Sequence, residues 1–282
     1  MAYVEHQFEL EHLQLSARIW GQGNQRKVIA LHGWLDNCAS FNQLAPKLNA
    51  EIVALDLAGH GLSGRRNNMA PYNIWEDVVE IFAVANAMGW EAFSLIGHSR
   101  GAMIAALAAG SWPERVQSLV LLDGIWPQPE PLENAPQQLE RSVKIMLSSN
   151  RKRATVYPTR DKAIHARMNS AWPILQSSAE AFAERGVVAD QGGYIWCADP
   201  KLQLPSAVKL SQEQIEAFVE RISANILLVL AEDGVLVKMP ELAPQLDDWP
   251  KINTLQLPGS HHFHMEGQEA DIAQGIAAFW AD

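Results

Sequence analysis

Ser99 sits in Gly97–His98–Ser99–Arg100–Gly101, a G-x-S-x-G pattern. Before it runs the apolar stretch Phe93–Ser94–Leu95–Ile96, of the type that forms a strand buried on both faces. After it runs Ala102 to Ala109, a strong helix-forming sequence. Strand, sharp turn and helix with a serine at the apex is the context of a nucleophile elbow. Glycines on both sides fit a place where the incoming strand and outgoing helix nearly touch. A serine hydroxyl is a poor nucleophile at neutral pH, so acyl-transfer chemistry here needs a base, an acid to orient it and donors for an oxyanion. The elbow itself makes the backbone N–H of Arg100 one such donor.

The base must come from nine histidines. His261 lies in the run Ser260–His261–His262–Phe263–His264–Met265–Glu266, just beyond the last strand-like segment and a Pro258–Gly259 turn. Two carboxylates end strand-like runs: Asp123 after Val116–Leu122, and Asp233 after Ile226–Leu230. His32, in His32–Gly33–Trp34, and His60, in Gly59–His60–Gly61, suit structural work in loops. Ser63 is not expected to be a nucleophile. His98 is expected to shape the elbow or the pocket.

The elements that hold these residues apart in sequence alternate between strand and helix. A hairpin is expected from the alternation around Glu5–Leu10 and Leu13–Trp20. Buried strands follow at Val28–Leu31, Ile52–Asp56, Phe93–Ile96 and Val116–Asp123. Asn37 to Leu48 is polar and helix-compatible, and Trp75 to Met88 is an amphipathic helix. The pattern then breaks. Between about Trp126 and Ser211 come four early prolines, amphipathic helical stretches and no buried strand. Strands resume at Ile226–Leu230 and Asn253–Leu257, and Ala270–Trp280 closes the chain as a helix. The expected fold is α/β, a mostly parallel, doubly wound sheet. Residues 1–127 and 211–282 would form its core, with 128–210 inserted as a helical cap. The cap's Met146, Trp172 and Trp196, with Trp34 and His98 from the core, are candidates for lining a substrate pocket.

These motifs resemble the α/β-hydrolase superfamily, within it the capped serine-hydrolase-like group, over essentially the whole chain. They stand in the superfamily's order: H-G-W at 32–34, D-L-A-G-H-G-L-S at 56–63, G-H-S-R-G at 97–101 and S-H-H-F-H-M-E at 260–266. The resemblance implies a catalytic Ser99 and selects His261 over His262, because His264 and Glu266 follow at the superfamily's spacing. It also implies the backbone N–H of Trp34 as the second oxyanion donor. The acid departs from pattern. The superfamily's G-x-x-D after this strand is here Ala231–Glu232–Asp233–Gly234, with glycine at the acid position. Asp233, one place early, is the first choice, and Asp123, used by some relatives, is the second.

Composition sets the remaining bounds. At 282 residues, 48% hydrophobic and 19% charged, the chain is an ordinary globular protein able to bury a large core. A net charge of −10 disfavours nucleic acid or anionic membrane as a partner. Cys38 and Cys197 have no metal-ligand spacing and point to a reduced, cytoplasmic setting. The first 21 residues lack the basic and apolar regions of a signal peptide, and no apolar run reaches membrane-spanning length. A cofactor-independent esterase acting on a small or medium hydrophobic molecule is the leading expectation. A C–C bond hydrolase or perhydrolase on the same triad, and a non-catalytic ligand-binding protein, are its rivals.

Overall fold

The parallel strands of this chain all deliver their C-terminal ends to one edge of a single sheet, and the candidate residues sit there. The computed structural model describes residues 2–66, 71–148, 154–190, 192–238 and 252–281. Its main sheet has eight strands: β1 Val4–Glu9, β2 Gln14–Trp20, β3 Lys27–Leu31, β4 Glu51–Leu55, β5 Phe93–His98, β6 Val116–Leu122, β9 Asn225–Asp233 and β10 Ile252–Ser260. Their spatial order is β1-β2-β4-β3-β5-β6-β9-β10. β1 and β2 form the antiparallel hairpin, and β2 joins β4 antiparallel. Every other pair is parallel. The central strands β3 to β6 are buried almost throughout, as their unbroken apolar runs require. Pro258, which lacks an N–H, falls in the edge strand β10 at a break in register between Leu257 and Ser260.

Helices cover the sheet: α1 Ile74–Ala87, α2 Arg100–Ser111, α6 Gln212–Glu220 and α7 Glu269–Ala281. Apolar residues on the two faces form separate cores, one built around α1, α2 and α6, the other around Phe41, Phe263 and α7. The elbow helix lies unusually close to the strands. A Cβ at Gly97 would meet the Gly101 carbonyl at 2.4 Å, and one at Gly101 would meet the Leu31 carbonyl at 2.1 Å. Both positions therefore admit only glycine.

The 37–48 stretch is not one helix but two short 3-10 turns, Cys38–Phe41 and Ala45–Lys47. Asn37 caps the first with its side chain, and Pro46 stands at the start of the second. Between β6 and α6 lie α3 Ala135–Leu147, α4 Arg160–Met168 and α5 Gln176–Gly186. They are joined by a two-stranded hairpin, β7 Val187–Asp190 with β8 Gly193–Trp196. These strands escape a search for buried apolar runs because no residue in either is fully buried.

This segment is tied to the sheet by polar side chains. Arg185 of α5 is buried against Asp56, with Nη2 2.8 Å from Oδ2, and it also reaches Glu5. Arg167 of α4 donates to Asp36 at 2.7 Å. The Trp34 indole donates to the Leu202 carbonyl, and Tyr72 donates to Asp199. No helix among the described residues is long and apolar enough to cross a membrane. Both cysteines are free.

Candidate active site

Ser99 occupies the junction of β5 and α2 with φ 53° and ψ −117°, a conformation that costs a non-glycine residue energy. Its N–H donates to the Leu122 carbonyl of the neighbouring strand at 3.0 Å, which holds the turn in that shape. The Ser99 carbonyl accepts from the N–H groups of Ala102 and Met103. The Arg100 N–H lies trans to that carbonyl in the same planar peptide, so it points out of the helix start, where helix geometry offers it no partner.

A parallel logic orients Trp34. Protonated at Nδ1, His32 donates to the Gly33 carbonyl at 2.7 Å, and the Asp36 N–H donates to the same oxygen. The Gly33–Trp34 peptide plane is thereby fixed, and with it the direction of the Trp34 N–H. The other His32 nitrogen accepts from the Leu57 N–H at 3.0 Å. His60 donates from Nδ1 to the Ala58 carbonyl and accepts from the Leu35 N–H. Burial lowers the pKa of both imidazoles, which suits neutral rings that donate on one side and accept on the other. Ser63 donates to the Asp56 carbonyl and accepts from the Ser16 N–H, so its hydroxyl is committed to the loop.

Of the two carboxylates singled out in the sequence, it is Asp123 that His261 meets. His261 Nδ1 lies 2.6 Å from Asp123 Oδ2. The carboxylate is buried and also accepts from the Val235 N–H at 2.8 Å and, at 3.4 Å, from that of Leu236. Asp233 is exposed and still belongs to β9, which continues past Leu230 and pairs Asp233 with Ser260. A residue kept in the ladder has its direction set by the strand, so it does not enter the turn that faces His261.

One cavity of about 490 Å³ is lined by Ser99, Arg100 and Asp123. Four tryptophans wall it, Trp34, Trp75, Trp126 and Trp172, with Met103, Leu210 and Leu236 adding apolar surface. The Trp172 ring lies 5.3 Å from that of His261, centroid to centroid.

The structure thus brings Trp34 and Trp172 to the cavity. His98, Met146 and Trp196 are not among the described residues that line it. His98 is fully buried and donates from Nε2 to the His261 carbonyl at 2.8 Å, so it supports the histidine loop from below. Met146 stands half-buried near the end of α3. Trp196 donates to the Ala163 carbonyl and packs with α5 around a different cavity. Trp75 and Trp126 escape sequence reasoning because each also reads as ordinary helix or loop packing.

Behind the histidine loop lies a buried polar cluster. His262 is 3.2 Å from Asp36, and His264 shares a 2.7 Å hydrogen bond with Ser40. Burial lowers the pKa of His98 and His264 well below the usual histidine value, and neighbouring imidazoles add to the effect. Burial would raise the Asp36 carboxyl, but His262 and Arg167 hold it well below the usual range. Glu266 accepts from the Leu175 N–H, linking the histidine loop to the start of α5.

The sequence profile of the α/β hydrolase fold family matches residues 27–267. The chain is 31% identical to a serine hydrolase-like protein of Danio rerio, covering 91% of this chain and 82% of that one. Among solved structures it is similar to a hypothetical protein of Pseudomonas aeruginosa PAO1, at 42% identity and TM-score 0.95 over 99% of both chains. The thioesterase domain from the curacin biosynthetic pathway superposes with TM-score 0.87 at 23% identity, over 99% of this chain and 100% of that domain. At that identity the likeness concerns the fold alone. The chain belongs to the α/β-hydrolase superfamily, in its serine hydrolase-like group.

Proposed function

We propose that the protein is a serine hydrolase that cleaves an ester-like bond through an acyl-enzyme, with Ser99 as nucleophile, His261 as base and Asp123 as the acid. The observation that carries this is the 2.6 Å contact of His261 Nδ1 with the buried carboxylate of Asp123, a residue that lines the same cavity as a serine held in a strained turn. His261 takes the Ser99 proton as the hydroxyl attacks the carbonyl, and returns it to the leaving group. Asp123 keeps the imidazole in the tautomer whose Nε2 is free to accept that proton. The N–H groups of Trp34 and Arg100 hold the oxyanion. Water, activated by the same imidazole, then releases the acid.

The four indoles suit an aromatic or medium-length apolar acyl group. A thioester is chemically within range of the same triad. Residues 128–210 act as the cap: Gln128, Trp172, Ser206, Val208 and Lys209 roof the cavity over Ser99. The Asp123–His261 contact supports a catalytic role over a purely ligand-binding one. The free thiols fit a cytoplasmic protein.

A fluorophosphonate probe tests the proposal directly. It is expected to label the native protein at Ser99 and to leave Ser99→Ala unlabelled. A native protein that resists the probe and hydrolyses neither short esters nor thioesters would overturn it.

A further inference from the structure

We propose that Asp36, His98 and His262 form a binding site for a zinc-class transition metal, separate from the Ser99 cavity and joined to it through His98. None of the three lines that cavity. All three are buried, and one ligand atom from each lies within 4.8 Å of the others. His262 Nε2 is 3.2 Å and His98 Nδ1 is 3.7 Å from the same oxygen, Asp36 Oδ2. Ligands 2.0–2.1 Å from a tetrahedral zinc ion are separated by about 3.3 Å, so small side-chain adjustments complete the set.

Two further observations point to an occupant. His98 Nε2 must carry a proton, because it donates to the His261 carbonyl. In the neutral ring Nδ1 is then a bare lone pair, and this buried atom has no hydrogen-bond partner. It faces a carboxylate oxygen, another acceptor, so the pair is complete only with something positive or protic between them. The backbone leaves room for it. A Cβ at Gly33 would lie 2.8 Å from Asp36 Oδ2 and 3.0 Å from His98 Nδ1, and glycine has none.

Two imidazoles and one carboxylate are an ordinary zinc ligand set, with the fourth position left for water. The bond from His98 to the His261 carbonyl is the outer support that orients a metal-bound imidazole. Metal binding at His262 Nε2 takes the place of the hydrogen shared with Asp36 and requires the imidazole tautomer with its hydrogen on Nδ1. Arg167 occupies the other carboxylate oxygen, Asp36 Oδ1, at 2.7 Å, and its Nη2 stands 3.5 Å from His262 Nε2. Asp36 can bridge the guanidinium and the metal. The guanidinium nevertheless opposes a dication, and it also lines the neighbouring cavity at Leu35, Ser170 and Trp196, which offers a way in. Sequence spacing gives no hint of the site, since its ligands come from the end of β5 and from two loops remote in sequence.

The test uses the full chain stripped with EDTA, with Zn2+ or Co2+ added alone. The expected result is one saturable site by calorimetry, and a visible Co2+ spectrum of four-coordinate type that Zn2+ abolishes. His262→Gln keeps a donor to Asp36 but loses the imidazole, and is expected to weaken binding about 100-fold or more. Arg167→Met removes the competing cation and is expected to tighten binding about ten-fold. Damage to the fold would not tighten binding, so this variant decides the matter even if His262→Gln fails to fold. Absence of a bound metal, occupancy by water alone, or an affinity that Arg167→Met leaves unchanged or lowers would overturn the proposal.

Discussion

The carboxylate of Asp123 fills the space that the missing side chain of Gly234 leaves open. A Cβ at Gly234 would lie 2.3 Å from Asp123 Oδ1 and 2.5 Å from Oδ2. Glycine at the superfamily's acid position and a carboxylate at the end of β6 are therefore two halves of one arrangement. The N–H groups of Val235 and Leu236, which follow the glycine, close the cradle around the Asp123 carboxylate.

Two substitutions separate the carboxylates. Asp123→Asn is expected to lower kcat for a p-nitrophenyl ester by about 10⁴-fold, because the amide favours the wrong imidazole tautomer. Asp233→Asn is expected to leave it within about two-fold, the range of an exposed change remote from the chemistry. Gly234→Ala should also lower kcat, since backbone packing forces the new methyl into the carboxylate. Steady-state kinetics on the three variants checks all of this.

The tie between α5 and the sheet should dominate stability in the cap. Arg185→Met leaves the Asp56 carboxylate buried without its cation, held by the Cys38 and Leu62 N–H groups. The expected loss is about 3–5 kcal/mol, the range for breaking a buried ion pair from one side. Urea unfolding followed by tryptophan fluorescence measures it.

Trp172 tests the cavity wall. Its indole is about 42% exposed and lies against His261 and the cavity, so it is free to meet an acyl group. Trp172→Ala is expected to raise KM for an aromatic ester about ten-fold, equivalent to about 1.4 kcal/mol of lost contact. Its effect on kcat should be smaller. An acetyl ester, too short to reach the wall, should be nearly unaffected in KM.

Glu80 predicts a pH dependence of stability. Burial pushes its carboxyl from 4.5 up to about 7, against the opposing charge of Arg66. The fold therefore holds this proton more tightly than the unfolded chain does. The associated stability is full below about pH 4.5 and is lost as pH rises through about 7. Glu80→Gln keeps the neutral form at every pH, so its advantage over the native protein should grow from pH 5 to pH 8, to on the order of 2 kcal/mol. Melting curves across that range check the sign.

Several features were legible before any coordinates. The elbow could be read because its requirements are local: an apolar strand, two glycines and a small-residue helix within 18 positions. The sheet could be read from unbroken apolar runs at Val28–Leu31, Ile52–Leu55 and Leu119–Leu122, since strands buried on both faces leave no polar alternation. The hairpin β7–β8 could not, because half-exposed strands carry no such signature. The histidine run stood out by its density, but only the resemblance singled out His261.

What the chain's order of residues determined was the set of chemical groups and the elements that carry them. What only the tertiary structure decided was which groups meet. Asp123 and Asp233 each end an apolar strand and differ little on paper, yet β9 runs three residues longer than its apolar core and keeps Asp233 in the ladder. The partner of His261 is set by where one strand stops and whether a side chain stands in the next turn, and that depends on pairing between strands remote in sequence. The same holds for Asp36, His98 and His262, from one strand end and two loops that converge on the same sheet edge.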